Sequence, residues 1–270
     1  MSNDNLKPVT LNTLARMKAA REKITVLTAY DAGFARLVDD CGVEVILVGD
    51  SLGMVVQGGE TTLPVTMDDM VYHTRAVARG RRRALLIADM PFMSYPNVDV
   101  AITNAARLIQ EGGAQMVKLE GNARQAEVVT ALSERGIPVC GHLGLQPQYV
   151  HKLGGYRVQG RERKEATEML EDAGLLARAG ADMLVLECVP PLLADEISRC
   201  IDIPVIGIGA GRCTDGQVLV LHDLLGVTER APRFARDFLT GQVDGVRGAL
   251  RAYVEAVRSG TFPGPEHTFE

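Results

Sequence analysis

The sequence predicts a single α/β domain, a (β/α)8 TIM barrel with an extra N-terminal helix. Three observations predict it. Eight short apolar runs recur along the 270 residues, a stretch of helical periodicity follows most of them, and polar residues end most of the runs. Buried parallel strands read as such short, β-branched runs, and alternation with helices points to βαβ units. An open doubly wound sheet is the alternative. The count of eight and the polar strand ends weigh against it.

The runs fall at 24–28, 43–48, 84–88, 116–119, 137–140, 183–186, 203–208 and 218–221. Helical stretches such as 34–40 and 101–109 lie between them. Glycine stops at Gly42, Gly113, Gly136 and Gly180 precede the second, fourth, fifth and sixth runs. A glycine past a helix end admits the left-handed conformation that closes it. Residues 1–22 form an N-terminal extension whose second half, 11–22, reads as a helix. Met67 and Met70 sit at helical spacing and read as core.

Composition narrows the function. Hydrophobic residues make up 46% and charged residues 23%, which suits a folded soluble protein. The net charge is −5 and the pI about 5.6, whereas a nucleic-acid binder usually shows a basic stripe. No apolar run approaches the ~18 residues of a membrane span. The N-terminal MSNDNLKPVT has no export-signal pattern, and five cysteines without C-x-x-C spacing predict free thiols in a reducing cytoplasm. All five cysteines are expected in apolar surroundings.

In such a barrel the C-terminal strand ends form the active face. Strand two ends at Asp50, strand three at Asp89, and strand four reads Lys118-Leu119-Glu120. Strand five ends at His142, strand six at Glu187, strand seven in a glycine-rich turn at 207–211, and strand eight at His222 and Asp223. Alternation puts Lys118 and Glu120 on one face, and a buried charged pair is less costly at the barrel mouth. Asp50, Asp89 and Glu120 would then be neighbours. Their mutual repulsion calls for a cation, and an all-oxygen set suits Mg2+. Helix capping by each acid is the alternative. His142 with Cys140 is a poor zinc set.

Other residues keep two readings. Lys118 binds an anionic substrate or pairs with Glu120. His142 polarises a carbonyl or is a satisfied core histidine. Glu187 is a general base or a salt-bridged strand end. The turn at 207–211 reads as close backbone packing rather than a phosphate site. The basic run at 79–83 reads as a solvated loop on the opposite face. Residues 146–162 form a long Gly-, Gln- and Tyr-rich segment that reads as a lid over the site, with Gly154 and Gly155 as its hinge.

Eight strings carry a family resemblance: VGDSLG at 48–53, TLPVT at 62–66, DMPFM at 89–93, VKLEG at 117–121, PVCGHLGL at 138–145, GGYRVQG at 154–160, LECVP at 186–190 and DGQVLVLHD at 215–223. Together they resemble ketopantoate hydroxymethyltransferases over nearly the whole chain. The resemblance implies transfer of a one-carbon unit from methylene-tetrahydrofolate to α-ketoisovalerate, giving ketopantoate for pantothenate and coenzyme A. It implies Mg2+ at Asp50, Asp89 and Glu120, keto-acid contacts from Asp50, Ser51, Asp89 and Lys118, Glu187 as proton acceptor, and a homo-oligomer, a decamer; His142, from its place at a strand end, is a further candidate substrate contact. The main rival is a Mg2+-dependent barrel of the phosphoenolpyruvate mutase and isocitrate lyase type, which needs no folate. A barrel that only binds a metabolite is a further alternative, which loss of one of the three acids would favour.

Overall fold

A computed structural model describes residues 7–269. The first six residues of the predicted extension therefore lie outside the described part. Eight strands run β1 (Ile24–Thr28), β2 (Val45–Val48), β3 (Leu85–Asp89), β4 (Met116–Glu120), β5 (Val139–Gly144), β6 (Met183–Glu187), β7 (Val205–Ile208) and β8 (Gly216–Leu219). They pair in sequence order, all parallel, and β8 closes on β1. This is the predicted (β/α)8 barrel.

The helices are α1 (Leu11–Ala20), α2 (Ala32–Asp40), α3 (Leu52–Val55), α4 (Met67–Gly80), α5 (Val98–Gln110), α6 (Ala126–Ser133), α7 (Val150–Leu153), α8 (Arg163–Arg178), α9 (Pro191–Cys200), α10 (Leu221–Leu224) and α11 (Gly245–Arg258). Caps start several of them. The Asp31 side chain accepts from the amides of Gly33 and Phe34 at α2, and Thr66 with Asp69 forms a capping box at α4. The glycine stops at 42, 113, 136 and 180 have φ of 89°, 79°, 76° and 102°, as the helix-stop reading requires.

The strand side chains are buried almost without exception and mostly apolar, the main exceptions being charged groups toward the C-terminal strand ends. Met70 is fully buried and Met67 packs against the core. Helix α1 closes the bottom of the barrel. The Val9 amide donates to the Arg83 carbonyl, and Lys18 pairs with Asp215 at 2.7 Å, just before β3 and β8. The opposite rim is left to the loops after the strands.

Three expectations need correction. The fifth strand runs two turns of the pleat further than the sequence suggested, to Gly144, so His142 sits within the strand rather than at its end. The basic run is not a free loop: Asp39 accepts from the amides of Arg82, Arg83 and Ala84 at 2.6–2.8 Å, and Arg83 donates to the Val43 carbonyl. Its position on the face away from the strand ends is as predicted. The five cysteines are unpaired, but Cys200 and Cys213 are exposed rather than buried.

Candidate active site

A cavity of about 500 Å3 opens at the C-terminal ends of the strands. Asp50, Ser51, Asp89, Lys118, Glu120, His142 and Glu187 all line it. A second concavity, of about 340 Å3, lies against α11 and contains none of these residues.

The sheet register explains how the charged groups meet. Asp89 of β3 stands beside Lys118 of β4, and Glu120 of β4 beside His142 of β5. Parallel neighbours on one face bring such side chains into contact. Lys118 Nζ lies 2.8 Å from Asp89 Oδ1. The partner of Lys118 is thus Asp89 on the next strand, not Glu120 two residues along its own. His142 links the remaining acids. Its Nδ1 is 3.5 Å from Glu120 Oε1, and its Nε2 is 3.3 Å from Glu187 Oε2. Glu187 is the least buried of the group, at 13% side-chain exposure.

Asp50 follows β2, and its backbone amide donates to Asp89 Oδ2 at 3.0 Å. Gly49 makes room for this approach. A Cβ there would lie 2.8 Å from Ser51 Oγ and 3.5 Å from Asp89 Oδ2. Ser51 Oγ shares a 2.9 Å hydrogen bond with Tyr30 Oη.

Two residues of the site were invisible in the sequence. Gln148 is buried just past β5. Its Nε2 donates to Asp50 Oδ2 at 2.9 Å and to the Met90 carbonyl at 3.0 Å, while its backbone amide donates to Glu120 Oε2 at 3.0 Å. Tyr95, after β3, donates its hydroxyl to Gln148 Oε1 and accepts from the Glu120 amide. The sequence marked 146–162 as functional but offered nothing to single out Gln148 within it.

Electrostatics set the chemistry. Burial raises the Asp50 carboxyl well above the usual carboxylate range, and the nearby Asp89 and Glu120 charges add to it. Burial works against the Lys118 charge, yet the charges of Asp89, Glu120 and Asp50 outweigh it and hold the ammonium protonated. Burial and Lys118 likewise oppose protonation of His142, but Glu120 and Glu187 push it up to about 9. Asp50, Asp89 and Glu120 crowd around a single ammonium, Lys118, and the raised Asp50 carboxyl reflects, besides burial, that crowding of like charge.

That crowding and the hard oxygen donors fit a divalent cation such as Mg2+. Among the described residues, no three His, Cys, Asp or Glu side chains form a ready-made metal cage. Mg2+ does not require one. It is usually held by one or two carboxylates and keeps waters and substrate oxygens.

Elsewhere the turn at 207–211 packs closely, as predicted. At Gly207 a Cβ would lie 2.8 Å from Thr214 Oγ1, and at Gly211 2.8 Å from Pro191 Cβ. His222 and Asp223 stand on α10, one step beyond β8, and Asp223 lines the cavity.

Comparisons with known proteins agree with this geometry. A family model described as ketopantoate hydroxymethyltransferase matches residues 8–265. A 3-methyl-2-oxobutanoate hydroxymethyltransferase of Halorhodospira halophila is 62% identical over 262 residues, covering 97% of this chain and 95% of its own. One of Alkalilimnicola ehrlichii is 61% identical over 264 residues, with the same coverage of 97% and 95%. Among solved structures, a phosphoenolpyruvate phosphomutase of Streptomyces platensis matches with a TM-score of 0.60 at 16% identity, covering 80% of this chain and 82% of its own. A phosphonopyruvate hydrolase in complex with oxalate and Mg2+ matches with a TM-score of 0.60 at 13% identity, covering 95% and 92%. At such identities the two structures speak for the barrel alone. The family model spans nearly the whole chain and the relatives share well over half of its residues, and the chain belongs to the ketopantoate hydroxymethyltransferase family.

Proposed function

We propose that this cavity transfers a hydroxymethyl group from methylene-tetrahydrofolate to α-ketoisovalerate, forming ketopantoate. The observation that carries the reading is the rim itself. Three acids and a lysine gather just after β2 and on β3 and β4, and a further carboxylate, Glu187, stands across the mouth on β6.

Asp50, Asp89 and Glu120 would hold a divalent cation, with Mg2+ the best match to their oxygens. When bound, the ion polarises the keto group and lowers the acidity barrier at C3. Lys118 supplies a fixed positive charge near the developing oxyanion. Ser51, Asp50 and Asp89 orient the keto acid, and His142 adds a donor from the neighbouring strand. Glu187 accepts the C3 proton; a positioned base of this kind contributes about 10²–10⁴-fold. The carbon nucleophile attacks the one-carbon unit of the folate, which arrives as an iminium. Water then adds its oxygen to that carbon as the C–N bond to the folate breaks, leaving a hydroxymethyl group on the keto acid and the nitrogen protonated in tetrahydrofolate.

His142 bridges Glu187 to Glu120, so it can hold the base in place as well as face the substrate. Residues 146–162 would cover the keto acid and exclude water. The family match points to small-molecule substrates. We extend it to a cytoplasmic homo-oligomer, a decamer, which would cover exposed apolar side chains such as Leu192 and Val243. No helix among the described residues is long and apolar enough to cross a membrane.

The test is a tetrahydrofolate-dependent assay for ketopantoate from α-ketoisovalerate and formaldehyde. Product formation that needs both tetrahydrofolate and a divalent ion supports the reading. Bond cleavage or rearrangement of the keto acid without folate would favour the mutase and lyase chemistry instead.

A further inference from the structure

The keto acid and its cation account for only one side of the cavity. The charged groups occupy the rim from β2 to β6. The remaining wall belongs to β7, β8 and the chain that follows them, and it is of a different character. Ile208, Val218, Phe234 and Phe269 make it apolar. A five-carbon keto acid cannot fill about 500 Å3, a volume suited to a much larger ligand.

Two aromatic rings meet on this wall. Gly209, just past β7, has φ +63°, and a Cβ there would lie 3.0 Å from both Phe234 Cδ1 and Phe269 Cε2. The rings therefore converge over bare backbone. The same lining holds one buried acid with no role in the chemistry above. Asp223 is 4% exposed and lines the cavity. Its Oδ1 accepts from Thr228 Oγ1 at 2.6 Å, whereas no hydrogen bond reaches Oδ2 among the described residues. With Oδ1 held by Thr228, Oδ2 is left free to accept from a ligand in the cavity. At the outer edge, Arg230 and Arg233 are exposed, and neither is ion-paired among the described residues. The Arg233 guanidinium lies 5.7 Å from the Phe269 ring centre.

We propose that Asp223, Phe234 and Phe269 form the subsite for the pteridine head of the folate co-substrate. This rests on the function proposed above. Asp223 accepts from the 2-amino group and the adjacent ring N–H, which present two parallel donors to one carboxylate. The Phe234 and Phe269 rings pack against the flat bicycle. Arg230 and Arg233 face the anionic glutamate tail. The placement suits the reaction. Ile208 on this wall is the direct strand neighbour of Glu187, so the one-carbon donor sits beside the carbon that Glu187 deprotonates.

The test measures binding rather than turnover. Tetrahydrofolate and its 2-deamino analogue are titrated into the wild-type protein and into Asp223→Asn, with Mg2+ present. The wild type is expected to bind tetrahydrofolate roughly 10–100-fold more tightly than the analogue, the loss typical of removing a charge-assisted hydrogen bond. Asp223→Asn should bind tetrahydrofolate more weakly by a similar factor and discriminate little between the two ligands, while its affinity for α-ketoisovalerate reports an intact pocket. Equal binding of both ligands by the wild type overturns the subsite, and that measurement needs no variant. So does unchanged folate affinity in Asp223→Asn. If the wild type binds no tetrahydrofolate at all, the subsite and the function on which it rests fail together.

Discussion

Gln148 shows how a single side chain organises this site. It ties Asp50, just past β2, to Glu120 on β4 and takes its own orientation from Tyr95. Without its amide, Asp50 Oδ2 and the Met90 carbonyl lose their donor and the Tyr95 hydroxyl loses its acceptor. Gln148→Leu should therefore loosen the acid cluster while keeping the side-chain bulk. Isothermal titration is expected to show divalent-ion affinity falling about 10-fold, in line with one charge-assisted hydrogen bond. An unchanged affinity would mean that Gln148 only fills space. The six charged residues of the rim were readable in advance because they stand at or near the C-terminal ends of the apolar runs, and alternation puts Lys118 and Glu120 on one face. Gln148 and Tyr95 were not. They reach the site through loops, and no local periodicity says where a loop folds back.

At the scale of elements, the two ends of the barrel carry different duties. Asp39 of α2 holds the chain entering β3 through three backbone amides. Asp39→Ala leaves those donors without an acceptor, and the Ala84 amide is buried. A loss of at least about 2 kcal/mol in unfolding free energy is expected by denaturant titration, with kcat of the folded fraction unchanged. A fall in kcat without loss of stability would contradict this division of labour. The segment at 146–162 belongs to the other end. Its first part is already anchored by Gln148, and the helix α7 stops at Gly154 and Gly155, with φ of 69° and 114°. Any closure of this segment over the keto acid would then be confined to the part beyond Gln148. Hydrogen exchange across 150–160 should slow when Mg2+ and α-ketoisovalerate are both present. Unchanged exchange would make it a static packing loop. Composition marked the segment as unusual, but only the packed structure separates its anchored half from its hinge. The strand boundaries were legible to within a few residues, least well at β5, where the glycines of Gly141 and Gly144 disguised the continuing strand.

The whole molecule places a cluster of carboxylates at one end of a closed barrel. A divalent ion that binds the folded state alone should stabilise it by mass action. At a hundredfold excess over its Kd, Mg2+ should raise the Tm by roughly 5 °C. A chelator should abolish both that shift and the activity. Full activity in a stringently metal-free preparation would remove the cation from the account. The barrel itself was legible because eight apolar runs and their glycine stops repeat along the chain. The family resemblance named the chemistry, whereas the link from Glu120 through His142 to Glu187 emerges only when three strands lie side by side.

In the proposed mechanism Glu187 takes the C3 proton while the acids across the mouth hold the keto acid in place. Exchange of that proton with deuterated solvent, followed by NMR with Mg2+ and without folate, tests it most directly. Glu187→Gln should keep α-ketoisovalerate affinity within a few-fold and slow exchange by about 10²–10⁴-fold. Exchange at the wild-type rate in that variant would contradict the assignment.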